Sequence, residues 1–90
     1  MKRFYIVFKG RVQGVGFRWT LINIAQKYNI TGFCRNLDNG DVDLEIQGNS
    51  DNLDAFLKET LEAKRYIRID DYSIKSINIV EDERIFDVKY

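Results

Sequence analysis

The sequence predicts an α+β fold in which two helices cover one face of an antiparallel sheet. Two segments carry apolar residues at the spacing of amphipathic helices, and short segments rich in β-branched and aromatic residues flank them. The 90 residues are 44% hydrophobic, which is enough for one core. We therefore expect residues 1–90 to form a single domain.

The first third of the chain predicts a strand, a loop and a helix. Residues 3–9 alternate between two faces with aromatic and β-branched side chains, as a strand does. Residues 10–16 contain three glycines and predict a loop. Residues 17–28 repeat apolar side chains at helical spacing, and Asn29 is suited to end that helix in the left-handed conformation.

The rest of the chain predicts four strands and a second helix, which has Asn49 or Ser50 as its N-cap. The four strands are expected at residues 30–37, 41–47, 72–80 and 85–90. The first strand after the hairpin turn alternates strictly between polar and apolar side chains, so we expect one of its faces to contact water. This order of elements, βαββαβ with an extra C-terminal strand, is that of the ferredoxin-like sandwich, which serves many unrelated functions.

Charged residues are distributed unevenly although the net charge is zero. Residues 1–36 contain seven basic and no acidic residues, whereas residues 37–90 contain all fourteen acidic residues. One interpretation is an anion-binding site built from the first third of the chain. The alternative is that basic and acidic surfaces of the fold pair with each other.

Residue types and segments that the chain lacks exclude several kinds of catalytic site and indicate its cellular location. It has no histidine, which rules out Ser-His-Asp and Cys-His catalysis and removes a common zinc ligand. Its one cysteine cannot form an internal disulfide, which favours a reducing, cytoplasmic location. No apolar run approaches the ~20 residues that a membrane span requires, and the N-terminus does not resemble a signal peptide.

The glycine loop has the character of an anion site. Glycines let successive backbone N–H groups converge on an anion, and the following helix adds the positive end of its dipole. Between Gly10 and Arg18 there is no Ser, Thr, Asp or Asn to cap that helix, and Arg18 itself lies in the first turn, where a cation needs a counter-charge. A solvated arginine after an ordinary glycine turn is the alternative. We expect the anion to bind at Gln13, Gly14, Val15, Gly16, Phe17 and Arg18.

Asn36 is the candidate for a second role in such a site. With no histidine in the chain and no acid in its first third, the chemistry must depend on positioning and charge stabilisation, which suits phosphoryl transfer through a loose transition state. A neutral amide can orient a water molecule in such a reaction. The alternative is an Asn that only forms the turn.

The hairpin after Asn36 decides which face of the sheet that side chain occupies. A two-residue Asn-Gly turn would pair Asn36 with Asp43 on the wet face, away from the anion. A three-residue Asp-Asn-Gly loop, with Gly40 in the left-handed position, pairs Asn36 with Val42 on the helix-covered face. The Asn-Gly pair slightly favours the shorter turn, but the chemistry requires the longer one, which we predict.

Two segments resemble the signatures of the acylphosphatase family. Residues 10–18, GRVQGVGFR, are similar to the first signature. Residues 32–36, GFCRN, are similar to the second, with Gly40, Val42 and Gly48 behind them. The Lys-Tyr ending is similar as well, so the resemblance spans essentially the whole chain.

The resemblance implies hydrolysis of carboxylic–phosphoric mixed anhydrides, with water attacking phosphorus, no covalent intermediate and no metal or other cofactor. It implies that Arg18 and the loop N–H groups hold the phosphoryl group and that Asn36 positions the water, with the substrate's own phosphate as the base if one is needed. Inorganic phosphate is then both product and inhibitor. Cys34 stands where the family often has Val or Ala, so we expect a buried small residue without a catalytic role.

Two other functions use the same fold. A nucleic-acid-binding module would place Tyr5 and Phe33 on the open face of the sheet, but the corresponding strand signature is missing and the pI is 6.2. A part of larger carbamoyl-transfer machinery would need further domains, for which we expect no room in 90 residues. We expect a monomer that acts on a small acyl phosphate and binds neither nucleic acid nor membranes.

Overall fold

The computed structural model describes residues 1–63 and 66–90, and its elements follow the predicted order. The strands and helices are β1 (Lys2–Arg11), α1 (Phe17–Lys27), β2 (Thr31–Asn36), β3 (Val42–Gly48), α2 (Ser50–Glu62), β4 (Arg68–Ile77) and β5 (Phe86–Lys89). The five strands form one sheet in the order β4-β1-β3-β2-β5. Apolar side chains of one sheet face and of both helices share a single core, so the predicted ferredoxin-like sandwich is confirmed.

The sheet is antiparallel except at one edge. There the C-terminal β5 runs parallel to β2, with Gly32 opposite Phe86, and so lies beside the strand that ends at Asn36. At the other edge, β4 begins at Arg68 and ends at Ile77, whereas the sequence predicted residues 72–80. Its first residues are mostly exposed and polar and lack an alternating pattern, but they pair with the far end of the long β1.

The start of α1 is fixed by aromatic packing. The rings of Phe8 in β1 and Phe17 in α1 meet edge to face, with centroids 5.5 Å apart and an angle of 80° between the ring planes. Beyond the helix, Asn29 has a φ of 54°, as predicted. The helix buries four of the positions that the helical spacing predicted, Phe17, Leu21, Ile24 and Ala25.

Contrary to the prediction, the open face of β3 is largely covered, and only Glu45 keeps part of its side chain in contact with water. Asp43 is fully buried and Gln47 is 5% exposed. Arg35 and the hydroxyl of Tyr5 both donate hydrogen bonds to the Asp43 carboxylate. The amide of Gln47 exchanges two hydrogen bonds, each 2.8 Å long, with the backbone of Val80. Long side chains of neighbouring strands and the segment at residues 80–83 therefore cover this face, which the alternation within one strand cannot reveal.

Ion pairs account for much of the uneven charge distribution. Four of the seven basic residues in the first third pair with acids of the later part: Arg3 with Glu45 and Glu83, Lys9 with Asp41, Lys27 with Glu59, and Arg35 with Asp43. The alternative of complementary surfaces thus explains these four residues. Neither helix within the described residues is long and apolar enough to cross a membrane.

Candidate active site

The loop between β1 and α1 has the backbone conformation of an anion cradle. Gly14 and Gly16 have φ angles of 70° and 78°, in the left-handed region. A Cβ atom at either position would meet nothing within 4 Å, so these glycines serve the backbone conformation rather than close packing. Left-handed residues alternating with ordinary ones turn successive N–H groups toward one point.

The N-terminus of α1 lacks the cap that α2 has. In α2, the Asn49 side chain accepts a hydrogen bond from the Asn52 N–H at 2.9 Å. In α1 the capping residue is Gly16, no side-chain cap bond is present, and no acidic residue stands in the first turn. Within the described residues, the first N–H groups of α1 thus lack a side-chain acceptor and are available to a ligand.

Arg18 and Asn36 line the same small cleft. The cleft has a volume of about 190 Å³ and is lined by the glycine loop, the first turn of α1 and the end of β2. Glycines 14 and 16 form part of its wall, together with Val12, Phe17, Arg18, Trp19 and Asn36. The structure therefore brings the two candidate catalytic residues together beside the glycine loop.

The hairpin has the predicted three-residue register. Asn36 pairs with Val42, and the N–H of Leu37 donates to the carbonyl of Asp41 at 2.8 Å. Gly40 has a φ of 97°. Because side chains alternate along a strand, this register puts Asn36 on the helix-covered face with the fully buried Cys34.

Three of the predicted anion-binding residues direct their side chains elsewhere. The side chain of Phe17 is 1% exposed in the core, and Val15 packs against the core. The Gln13 amide donates to the carbonyls of Leu37 at 2.7 Å and Asp41 at 2.8 Å. These residues can therefore meet an anion only through their backbone N–H groups, and Gln13 also joins the loop to the hairpin of Asn36.

Arg18 is the basic group of the cleft. It forms no ion pair with an acid of residues 1–63 or 66–90, and its guanidinium carbon lies 5.4 Å from the centre of the Tyr90 ring. Burial raises the pKa of the Cys34 thiol to about 12, although the charge of Arg18 acts in the opposite direction. The thiol therefore stays protonated near neutral pH. No group of three metal-ligating side chains occurs among the described residues.

The sequence and the fold of this chain both match those of known proteins. The family model of acylphosphatases matches residues 4–88. The chain belongs to the acylphosphatase family. An acylphosphatase of Clostridium beijerinckii is 36% identical over 90 residues, which cover all of both chains. The crystal structure of the acylphosphatase from Bacillus subtilis covers both chains fully, with a TM-score of 0.94 and 29% identity. This chain is thus a hydrolase of the acylphosphatase type.

The same domain also occurs within larger proteins. The crystal structure of HypF from T. kodakarensis contains a region similar to this chain, with a TM-score of 0.88 and 30% identity. The region covers 12% of that chain and 100% of this one. The relatives that this chain matches over their full length, by contrast, are acylphosphatases.

Two features of this acylphosphatase cleft are missed by sequence reasoning. The Gln13 bridge to the hairpin depends on carbonyls 24 and 28 positions away, and no local pattern signals it. Trp19, which is 71% exposed, lines the cleft directly after Arg18. The sequence carries no distinct signal for Trp19, because single exposed aromatic residues are common on protein surfaces.

Proposed function

We propose that this enzyme hydrolyses acyl phosphates to a carboxylate and inorganic phosphate, by attack of water at phosphorus and without a covalent intermediate. The observation that carries the proposal is the cleft that Arg18 and Asn36 share beside the glycine loop. The acylphosphatase names of full-length relatives support the choice of substrate class.

In this proposal the loop N–H groups and Arg18 hold the phosphoryl group. The N–H groups are those of residues 13–18, at the positive end of the α1 dipole. The guanidinium of Arg18 donates two parallel hydrogen bonds to phosphoryl oxygens, which a lysine could not do. These donors stabilise the charge that spreads over the phosphoryl oxygens in the transition state.

Asn36 orients the attacking water in the proposed reaction. The water oxygen forms a bond to phosphorus while the bond from phosphorus to the acyl oxygen breaks, and the electron pair leaves with the carboxylate. The proton of the water passes to a phosphoryl oxygen. A carboxylate is a weak base, so its departure needs no general acid. Cys34 takes no part, because its thiol stays protonated.

We also propose that the open face of the sheet does not bind nucleic acid. Tyr5 and Phe33 lie on that face, as an RNA-binding sheet would require, but the Tyr5 hydroxyl is bonded to Asp43 at 2.7 Å. The Nζ atom of Lys89 lies 4.0 Å from the centre of the Phe33 ring. The Tyr5 hydroxyl and the Phe33 ring are therefore both engaged within the fold, which opposes stacking of bases on this face.

We further propose that residues 1–90 act as one domain and as a monomer in the cytoplasm, without a metal, a cofactor or a membrane. One sheet contains both β1 and β5, which supports a single domain. The free cysteine supports a reducing compartment.

Turnover of a simple acyl phosphate tests the proposed function. The purified chain is mixed with benzoyl phosphate, and phosphate release is followed with and without EDTA. We expect catalysed release that EDTA does not change and that inorganic phosphate inhibits competitively. Absence of catalysed release would refute the function, and loss of activity in EDTA would refute metal independence.

A further inference from the structure

A second, larger groove adjoins the cleft of Arg18. It lies between α1 and the end of α2 and has a volume of about 550 Å³. Trp19 lines both the cleft and this groove, and its side chain is 71% exposed. We call it the α1–α2 groove; its lining residues are Trp19, Thr20, Asn23, Ile24, Glu59, Glu62 and Ala63.

The α1–α2 groove is apolar with an acidic edge, whereas the cleft is polar and basic. Two of its polar side chains direct their donors to their own helix: the Thr20 hydroxyl donates to the Gly16 carbonyl at 3.1 Å and the Asn23 amide to the Trp19 carbonyl at 2.7 Å. Glu62 supplies a carboxylate, whereas the carboxylate of Glu59 is paired with Lys27 at 2.7 Å, and none of the described lining residues is basic. The groove therefore offers an aromatic and aliphatic surface with a negative border.

We propose that the α1–α2 groove binds the acyl group of the substrate, with Trp19 as the residue that selects it. This inference rests on the proposed acyl phosphate hydrolysis. The dianionic phosphoryl group is attracted to Arg18 and repelled by Glu62, so the charges orient the substrate across Trp19. The preferred substrates then have an uncharged aromatic or extended aliphatic acyl group, and a second anion on the acyl group weakens binding.

Truncation of Trp19 tests the apolar contact. The kcat/KM of Trp19→Ala is measured for benzoyl phosphate and for acetyl phosphate, whose methyl group is too small to reach far into the groove. We expect the ratio of the two values to fall about ten-fold, mainly through a higher KM for benzoyl phosphate, since an aromatic stacking contact remote from the reacting bond contributes uniform binding. Trp19→Phe is expected to restore most of the ratio, and Ile85→Ala, which removes an exposed apolar side chain outside the groove, leaves the ratio unchanged.

Removal of a charge tests the negative border. The substrates are benzoyl phosphate and 4-carboxybenzoyl phosphate, which differ only by one carboxylate. In Glu62→Gln we expect the relative kcat/KM of the carboxylated substrate to rise about three-fold at low salt and less at high salt, because exposed charges are screened. The matched control is Glu81→Gln, which removes an exposed acid from the segment over the opposite face of the sheet and leaves the selectivity unchanged.

The outcomes separate this inference from the proposed function. One outcome is that the unmodified chain hydrolyses both benzoyl and acetyl phosphate while Trp19→Ala leaves the ratio of the two kcat/KM values unchanged. That result would overturn the groove proposal but not the proposed function. Equal losses for both substrates would also overturn it, since Trp19 would then serve only the cleft. Hydrolysis of neither substrate by the unmodified chain would overturn the function and the groove proposal together.

Discussion

Arg18 occupies a position in which a basic side chain needs a counter-charge. A cation in the first turn of a helix costs about 0.3–1 kcal/mol against the helix dipole. Arg3, Lys9, Lys27 and Arg35 have acidic partners, whereas Arg18 has none among the described acids and lines the cleft. A bound phosphoryl group would supply the missing negative charge.

Replacing this guanidinium by an ammonium tests its geometry. Arg18→Lys keeps the charge but loses the planar pair of donors, and we expect kcat/KM for benzoyl phosphate to fall at least about 10²-fold. Arg11→Lys, at the exposed end of β1 and outside the cleft, is the control and should retain its activity. Near-normal turnover of Arg18→Lys would show that the two parallel hydrogen bonds from the guanidinium to the phosphoryl group are not required.

Asn36 is expected to serve the reaction more than the binding of phosphate. In Asn36→Ala the glycine loop and Arg18 are intact, so we expect inorganic phosphate to raise the thermal midpoint of this variant as much as that of the unmodified chain. Turnover of benzoyl phosphate should be lost, because the water is no longer oriented. Asn78→Ala, an exposed amide outside the cleft, is the control. Full turnover in Asn36→Ala would show that this amide does not place the water.

Cys34 should be dispensable for catalysis. Cys34→Ala and Cys34→Val remove the thiol, and we expect both to keep most of the kcat for benzoyl phosphate, because burial raises the pKa of that thiol to about 12. The Ala variant should lose about 1 kcal/mol of unfolding free energy in urea, because it leaves unfilled space in the core. A folded but inactive Ala variant would require a thiolate step.

At the scale of elements, the glycine loop and the β2–β3 hairpin act together through one side chain. The Gln13 amide donates to Leu37 and Asp41, the two residues that flank the three-residue loop. Arg18 follows the glycine loop and Asn36 precedes the hairpin loop, so this bridge holds the two halves of the cleft in place.

Removal of the bridge should affect both stability and rate. Gln13→Ala loses two hydrogen bonds, which predicts a decrease of about 1–2 kcal/mol in the free energy of unfolding. We also expect a clear loss of kcat with benzoyl phosphate, since the attacking water and the phosphoryl group are no longer held in the correct relative position. Gln26→Ala, an exposed glutamine of α1, is the control. A destabilised variant with unchanged kcat would reduce Gln13 to a structural role.

The local sequence pattern predicts those helices and strands that have one apolar and one polar face. The spacing of Phe17, Leu21 and Ile24 predicted α1, and the requirement that Asn36 face the helices predicted the hairpin register. The start of β4 was missed because that edge strand is exposed on both faces and lacks alternation. The buried state of Asp43 was missed because its cover comes from distant parts of the chain.

The residues of the candidate site also fall into two groups, those that the sequence predicts and those that only the tertiary structure reveals. Arg18 and Asn36 lie in recognisable local motifs, so the sequence predicts them, and the structure places both in one cleft. The bridge from Gln13 and the groove beside Trp19 arise only where separate elements meet. Such contacts have no sequence signature of their own, because their partners are fixed by the tertiary fold.

At the scale of the whole molecule, a buried ion network joins the two ends of the chain. Arg3 of β1 is 2% exposed and donates to Glu45 at 2.8 Å and to both carboxylate oxygens of Glu83 at 2.8 and 3.1 Å. Burial alone would raise the pKa of the Glu83 carboxyl, but hydrogen bonds from Arg3 and Thr31 outweigh it and hold that pKa below its usual value.

The network predicts a loss of stability in acid. Because the pKa of Glu83 is lowered by folding, its contribution is complete above the unfolded pKa of about 4.3 and disappears as the pH falls through the lower folded value. Glu83→Gln should therefore lose about 1–3 kcal/mol at pH 7 in urea unfolding, and the difference from the unmodified chain should shrink below pH 4. Glu81→Gln is the exposed control. A difference that is the same at pH 7 and pH 3 would contradict this account.

The central claim is that water attacks phosphorus directly in the cleft of Arg18 and Asn36, and isotope transfer from the solvent tests it. Benzoyl phosphate is hydrolysed by the enzyme in water enriched in ¹⁸O, and both products are examined by mass spectrometry, together with the time course of benzoate release in the first turnover. We expect one solvent oxygen in the phosphate, none in the benzoate, and no initial burst of benzoate. Label in the benzoate would place the attack at the carbonyl carbon, and a burst would reveal a phosphorylated enzyme; either result would contradict the mechanism.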